Sequence, residues 1–155
     1  MTLKKNNYKD RLVDIKIDEL LEVFGAVYIE GPKWCGKTWT SLNHANSACY
    51  ISNKETRLLA NNGLDKIDTN DKPLLIDEWQ LVPRLWDEVR LSCDMKETKG
   101  NYILTGSTSL SNKDGKGEVF HSGIGRIARV NMYPMSLFES GDSLWSCLFR
   151  CSLPH

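Results

Sequence analysis

The chain has 155 residues, 41% hydrophobic and 26% charged, and its twenty basic and twenty acidic side chains cancel. That length sustains one core rather than two comfortable domains, and the composition excludes a disordered chain. A neutral balance gives no electrostatic case for nucleic acid or a membrane surface as an obligate partner.

The N-terminal residues carry basic side chains with no apolar stretch behind them, so no signal peptide is expected. No run reaches the roughly 20 apolar residues of a membrane helix. Cys35, Cys49, Cys93, Cys147 and Cys151 are scattered and odd in number, the pattern of reduced thiols, and a cytoplasmic location is expected.

Residues 12–21 place Leu12, Val13, Ile15, Ile17, Leu20 and Leu21 at amphipathic spacing, a helical lead-in. Residues 25–30 are an apolar run entering a glycine, which predicts a buried strand. A helix is expected over 37–45, a second strand over 48–52, and a short helix over 54–61 that stops near Asn62 and Gly63. Residues 65–72 are polar and loop-like, and 73–77 form a third buried strand. Pro83 suits a first helical turn, and Leu85, Trp86, Val89 and Cys93 mark one face of the helix after it. A fourth strand is expected over 101–105, a mobile polar loop over 107–117, and a fifth strand over 126–132. Strands separated by helices imply a mainly parallel sheet with helices on both faces, an α/β sandwich of three layers, α/β/α.

Between the first strand and its helix, Gly31-Pro32-Lys33-Trp34-Cys35-Gly36-Lys37-Thr38 matches G-x-x-x-x-G-K-[ST] without a departure. A loop that wraps a triphosphate aims successive backbone N–H groups inward, which needs Gly31 and Gly36 where a β-carbon is unwelcome. Lys37 is expected to face solvent and set its ammonium on the β- and γ-phosphates. Thr38 offers a hydroxyl to Mg²⁺ while opening a helix whose N-terminus favours anions. Trp39, next along, joins the nucleotide-binding set. Cys35 lies beside Lys33 and Lys37 near that helix N-terminus. It is either the most reactive of the thiols or, if its side chain points inward, inert.

The third strand ends in Asp77 and Glu78. A strand lying beside the phosphate-loop strand delivers Asp77 to the metal, directly or through water. Glu78 then polarises the attacking water as general base. Alone, such a pair also fits a strand ending in two solvated acids; the phosphate loop upstream favours the functional reading. A GTPase would show Asp-x-x-Gly and Asn-Lys-x-Asp. Here Asp77 is followed by Glu78, Trp79 and Gln80, and neither Asn53-Lys54-Glu55-Thr56 nor Asn112-Lys113-Asp114-Gly115 ends in aspartate. Adenine is favoured, with ATP and ADP as ligands.

Five blocks together resemble one family. They are the phosphate loop; Leu75-Ile76-Asp77-Glu78-Trp79-Gln80 followed by Pro83; Tyr102-Ile103-Leu104-Thr105-Gly106-Ser107; His121 to Arg126; and Met135 to Gly141. The chain is similar to the bacterial and archaeal AAA-type ATPases whose ATPase domain precedes a C-terminal domain of unknown function. The resemblance spans about residues 8 to 142 and implies an AAA+-like P-loop fold. It also implies a polar sensor of the γ-phosphate or attacking water at Thr105 or Ser107, without choosing between them. Arg126 falls where the family carries an arginine able to neutralise phosphate charge, in cis or in trans; the same residue equally suits a structural salt bridge. The expected division is an ATPase domain over 1–143 and an atypical hydrophobic tail over 144–155, with the family's C-terminal domain absent.

Weaker signals point elsewhere. Residues 123–128 fit G-x-G-x-x-A but follow a polar loop, so no dinucleotide site is expected. Cys147, Cys151 and His155 are a poor metal set. His44 and His121 have no Asp or Cys partner nearby in sequence and read as surface or packing residues. Trp79, Trp86 and Trp145 read as packing residues. The reading is a Mg²⁺-dependent ATP-binding protein that hydrolyses ATP. The alternative is a nucleotide-gated module that presents a surface to a protein partner or a second copy, with little intrinsic hydrolysis.

Overall fold

In a computed structural model that describes residues 7–107 and 123–142, the chain alternates helix and strand. The elements are α1 (Leu12–Val23), β1 (Ala26–Glu30), α2 (Lys37–His44), β2 (Ser47–Tyr50), α3 (Lys54–Asn61), β3 (Leu74–Asp77), α4 (Arg84–Met95), β4 (Tyr102–Gly106), β5 (Ile127–Asn131) and α5 (Leu137–Ser140). Single 3₁₀ turns at Leu64–Lys66 and Trp79–Leu81 complete them; the first falls at the start of the stretch expected to be loop.

The five strands form one sheet in the order β2-β3-β4-β1-β5, and every neighbouring pair is parallel. Side chains alternate across it, as the period of two requires. Ala26, Tyr28, Ile76, Leu104 and Ile127 pack with Ala60 of α3 and with Leu85, Trp86 and Val89 of α4. Val27, Ile29, Leu75, Ile103 and Val130 pack with Ile17 of α1 and Leu42 of α2. Helices thus cover both faces in a three-layer α/β/α arrangement, which is why the strands read as unbroken apolar runs. Trp79 and Trp86 are core residues, their rings 5.1 Å apart and each edge-on to Tyr28.

One expectation is corrected. The strand ending in Asp77 does not lie beside the phosphate-loop strand; β4 is inserted between them. Burial separates interior from edge strands: β1, β3 and β4 are almost wholly buried and take the three inner places, whereas β2 and β5 keep exposed positions and take the edges. It does not rank β3 against β4, whose order is set by packing. Register preserves the convergence nonetheless. Glu30 aligns with Gly106, and Asp77 with Thr105, so the ends of β1, β3 and β4 meet at one edge of the sheet.

A second correction concerns His44. Sequence offered it no acidic partner, but α1 packs against α2 and supplies two. Asp18 lies 2.6 Å from Nδ1 and Asp14 lies 3.1 Å from Nε2. The Tyr8 hydroxyl joins the same seam, 2.8 Å from Asp14 and 3.1 Å from Thr40. Among the described residues no helix is long and apolar enough to cross a membrane. The loop expected over 107–117 beyond Ser107, His121, and the tail with Trp145, Cys147, Cys151 and His155 lie outside the described residues.

Candidate functional site

The phosphate loop leaves β1 after Glu30 and becomes α2 at Lys37. Its two glycines are needed for different reasons. Gly31 sits against the carbonyl of Met132, just beyond β5, where any side chain would collide. Gly36 is left-handed at φ 97° immediately before α2. Trp34 is also left-handed, at φ 68°, although it is bulky, and its side chain is fully exposed at the loop tip.

Lys37 is not solvent-facing as expected; only 7% of it is exposed. Its ammonium donates to the carbonyls of Gly31 at 2.9 Å and Pro32 at 2.8 Å, which replace water around a buried cation. Cys35 takes the inward alternative. It is 3% exposed and packs in the cluster of Val27, Ile29 and Leu42, so its thiol turns away from the loop's open side and its backbone remains as the part that can meet a ligand.

Asp77 joins two strands to the helix. One carboxylate oxygen, Oδ1, accepts from Thr38 Oγ1 at 2.9 Å and from Thr105 Oγ1 at 2.5 Å. Glu78 follows at φ 59°, a left-handed turn that swings its side chain off the strand. Its Oε2 accepts from the Gln80 side-chain amide and, at 3.4 Å, from the Ser107 hydroxyl. Thr105 and Ser107 therefore serve different carboxylates, a distinction the sequence left open. Gln80 was missed. Its only signal was its place two residues after Glu78, and Gly106 is small because a side chain there would meet Gln80 Oε1 at 2.7 Å.

Lys37, Thr38, Glu78 and Ser107 line a cavity of about 520 Å³, whose walls also include Trp34 and Trp39. A second cavity of about 360 Å³ shares Trp34, Gly36 and Trp39 and continues past Tyr8, Arg11 and Met135. Oxygen donors from Thr38 and Asp77 are the hard ligands Mg²⁺ prefers. Among the described residues no group of three His, Cys, Asp or Glu side chains could hold a metal. A one- or two-ligand site completed by phosphate oxygens is the arrangement these residues fit.

Arg126 does not join the site in its own chain. It precedes β5, and Ile127 aligns with Ala26 at the start of β1, so Arg126 lies at the opposite edge of the sheet. A strand of this length separates it from the phosphate loop by about 17 Å. Its guanidinium pairs with Asp94 of α4, the structural salt bridge that its residue type equally allowed.

The chain matches the family model of the AAA domain over residues 24–140. It belongs to that family. The AAA domain match begins just before β1 and ends within α5, so it encloses all five strands, the phosphate loop and the acidic pair. Membership carries nucleotide binding of the P-loop kind with it. Tyr8 and Arg11 lie outside the matched span and yet line the second cavity of this AAA domain. No curated protein sequence matches the chain significantly.

Proposed function

We propose that this AAA domain binds ATP with Mg²⁺ and hydrolyses it to ADP and phosphate. One observation supports the reading above all: Lys37, Thr38 and Glu78 line one cavity, and Asp77 is tied by a shared oxygen to Thr38 at its rim. In this reading the amides of the loop from Gly31 to Lys37, including those of Lys33, Trp34, Cys35 and Gly36, surround the phosphates, with Pro32 shaping the turn and Trp39 beside the ribose. Lys37 exchanges the carbonyls of Gly31 and Pro32 for β- and γ-phosphate oxygens. Thr38 and Asp77 would hold Mg²⁺, which would supply positive charge against the negative charge of the phosphates. Glu78 takes the proton of a water whose oxygen bonds to the γ-phosphorus as the bridging bond to the β-phosphate breaks. Thr105 orients Asp77, and Ser107 orients Glu78.

The second cavity suits the base. Tyr8, Trp39 and Met135 offer apolar and aromatic surface on the far side of Gly36.

A second reading has its own observation. Glu78 is held by Gln80, and Trp34 presents a fully exposed indole beside the cavity. A domain that binds ATP, turns it over slowly and offers Trp34 to a protein partner or a second copy would look the same. Turnover of the purified chain, measured beside Glu78→Gln with and without added partner, decides. Hydrolysis that is absent from wild type but present with a partner favours the second reading; equal turnover by wild type and Glu78→Gln removes the first.

A further inference from the structure

Arg11 is a buried cation with a place in no motif, and its three nitrogens reach three different parts of the chain. Nη1 donates to the Cys35 carbonyl at 3.0 Å, Nη2 to the Tyr133 carbonyl at 2.8 Å, and Nε to Glu139 Oε1 at 2.9 Å. Both side chains of the ion pair are buried, 6% and 8% exposed. Glu139 is itself fully engaged. It also accepts from the Leu12 amide at 2.9 Å, the Ser136 amide at 2.7 Å and the Ser136 hydroxyl at 2.8 Å. The fork is therefore anchored on α5 at one end and grips the phosphate loop at the other.

The grip has a direction. A peptide unit is planar and trans, so its C=O and N–H point opposite ways. Holding the Cys35 carbonyl toward Arg11 turns the Gly36 N–H the other way. Gly36 lines both cavities, and it is the left-handed residue on which the loop turns into α2. A left-handed glycine is free to flip where other residues are not, so something outside it must fix the peptide. Arg suits this contact because its donors form a rigid fork; a lysine keeps the charge but offers its donors from one point, and cannot reach three separated acceptors at once.

We propose that Arg11 is a positioning residue for the phosphate loop: it sets the Cys35–Gly36 peptide so that the Gly36 amide faces bound phosphate, and through Glu139 it makes that setting depend on the docking of α5. The proposal rests on the nucleotide-binding reading above.

The test compares wild type, Arg11→Lys and Glu139→Gln by titration with Mg-ATP and Mg-ADP, well below each variant's melting temperature. The amide resonance of Gly36 is followed in the same samples. Arg11→Lys should weaken both nucleotides about tenfold or more and move the Gly36 resonance, with the far-ultraviolet circular dichroism unchanged. Glu139→Gln leaves Arg11 its Cys35 and Tyr133 carbonyls but removes the charge and one acceptor oxygen from the α5 end, so it should weaken binding in the same direction by a smaller factor. Should Arg11→Lys fail to fold, Glu139→Gln alone decides, by weakened binding or by wild-type affinity. A wild type that binds while a folded variant binds equally well overturns the proposal and spares the reading. A wild type that ignores millimolar Mg-ATP overturns both.

Discussion

Asp77, the last residue of β3, is paired in register with Thr105, the penultimate residue of β4, and their side chains meet at 2.5 Å although neither is exposed by more than 8%. Thr105→Val keeps the shape and removes the donor. It should lower stability by about 1–2 kcal/mol, because the lost bond is made to a carboxylate. Turnover should fall about tenfold as the carboxylate loses its fixed orientation. Urea denaturation and a steady-state assay check the two effects, and a variant slowed without loss of stability would show that Thr105 touches substrate instead.

Lys37→Ala should abolish the thermal stabilisation that Mg-ATP gives the wild type, about 2.7 kcal/mol at a hundred times its dissociation constant. The variant should still fold, since the carbonyls of Gly31 and Pro32 can turn to water when the ammonium is gone. A nucleotide-dependent shift that persists in Lys37→Ala would place the phosphates elsewhere.

Asp77 and Glu78 should separate in their effects. Glu78→Gln is expected to keep ATP affinity and lose about 100-fold or more in turnover. Asp77→Asn should instead raise the Mg²⁺ concentration needed for half-maximal binding by about tenfold or more. Calorimetry at several Mg²⁺ concentrations, run beside phosphate release, gives both numbers; identical behaviour of the two variants would overturn the division of labour.

Acid should loosen the Arg11 anchor. Burial alone would push the Glu139 carboxyl up, but the Ser136 and Leu12 amides, the Ser136 hydroxyl and Arg11 outweigh it and carry the carboxyl from 4.5 down to about 2. The unfolded chain takes up this proton first, so the contribution of Glu139 is fully present above about 4.5 and is lost as pH falls toward about 2. Glu139→Gln should flatten the stability profile in that window and leave the neutral region parallel to wild type.

The thiols of the core should resist alkylation. Burial pushes Cys49 and Cys93 up to about 11, with Asp94 adding to the effect at Cys93, and Cys35 is packed inside. Mass spectrometry after iodoacetamide at neutral pH should find all three slow. Fast labelling of Cys35 would show that the loop opens on the timescale of the reaction.

How much of this could be read beforehand depends on range. The phosphate loop, the acidic pair and the strands were visible because each is a local pattern: an apolar run, a glycine at a turn, a carboxylate at a strand end. The place of β4 was not visible, since Leu75 and Ile103 are equally apolar and only packing decides which strand lies beside β1. Lys37 looked exposed because its acceptors are backbone carbonyls, which no side-chain pattern announces. Arg11 was passed over for the same reason, as two of its three acceptors are carbonyls and its third partner is 128 residues away. Arg126 lies at the edge of the sheet opposite the loop of its own chain, a placement that its residue type does not announce.

The strand order also fixes when the site can exist. β1 emerges early in synthesis, but its two neighbours are β4 and β5, Tyr102–Gly106 and Ile127–Asn131. Until those residues have left the ribosome, Ala26 to Ile29 is an apolar strand with both edges bare, the kind of segment that pairs with the wrong chain. The Met132 carbonyl against Gly31 and the Arg11 grip on Cys35 come later still, because Tyr133 and Glu139 must be made first. A nascent chain stopped short of residue 127 should therefore be held by chaperones and ignore nucleotide. The ligand cannot guide the early chain; it can only lock the finished one.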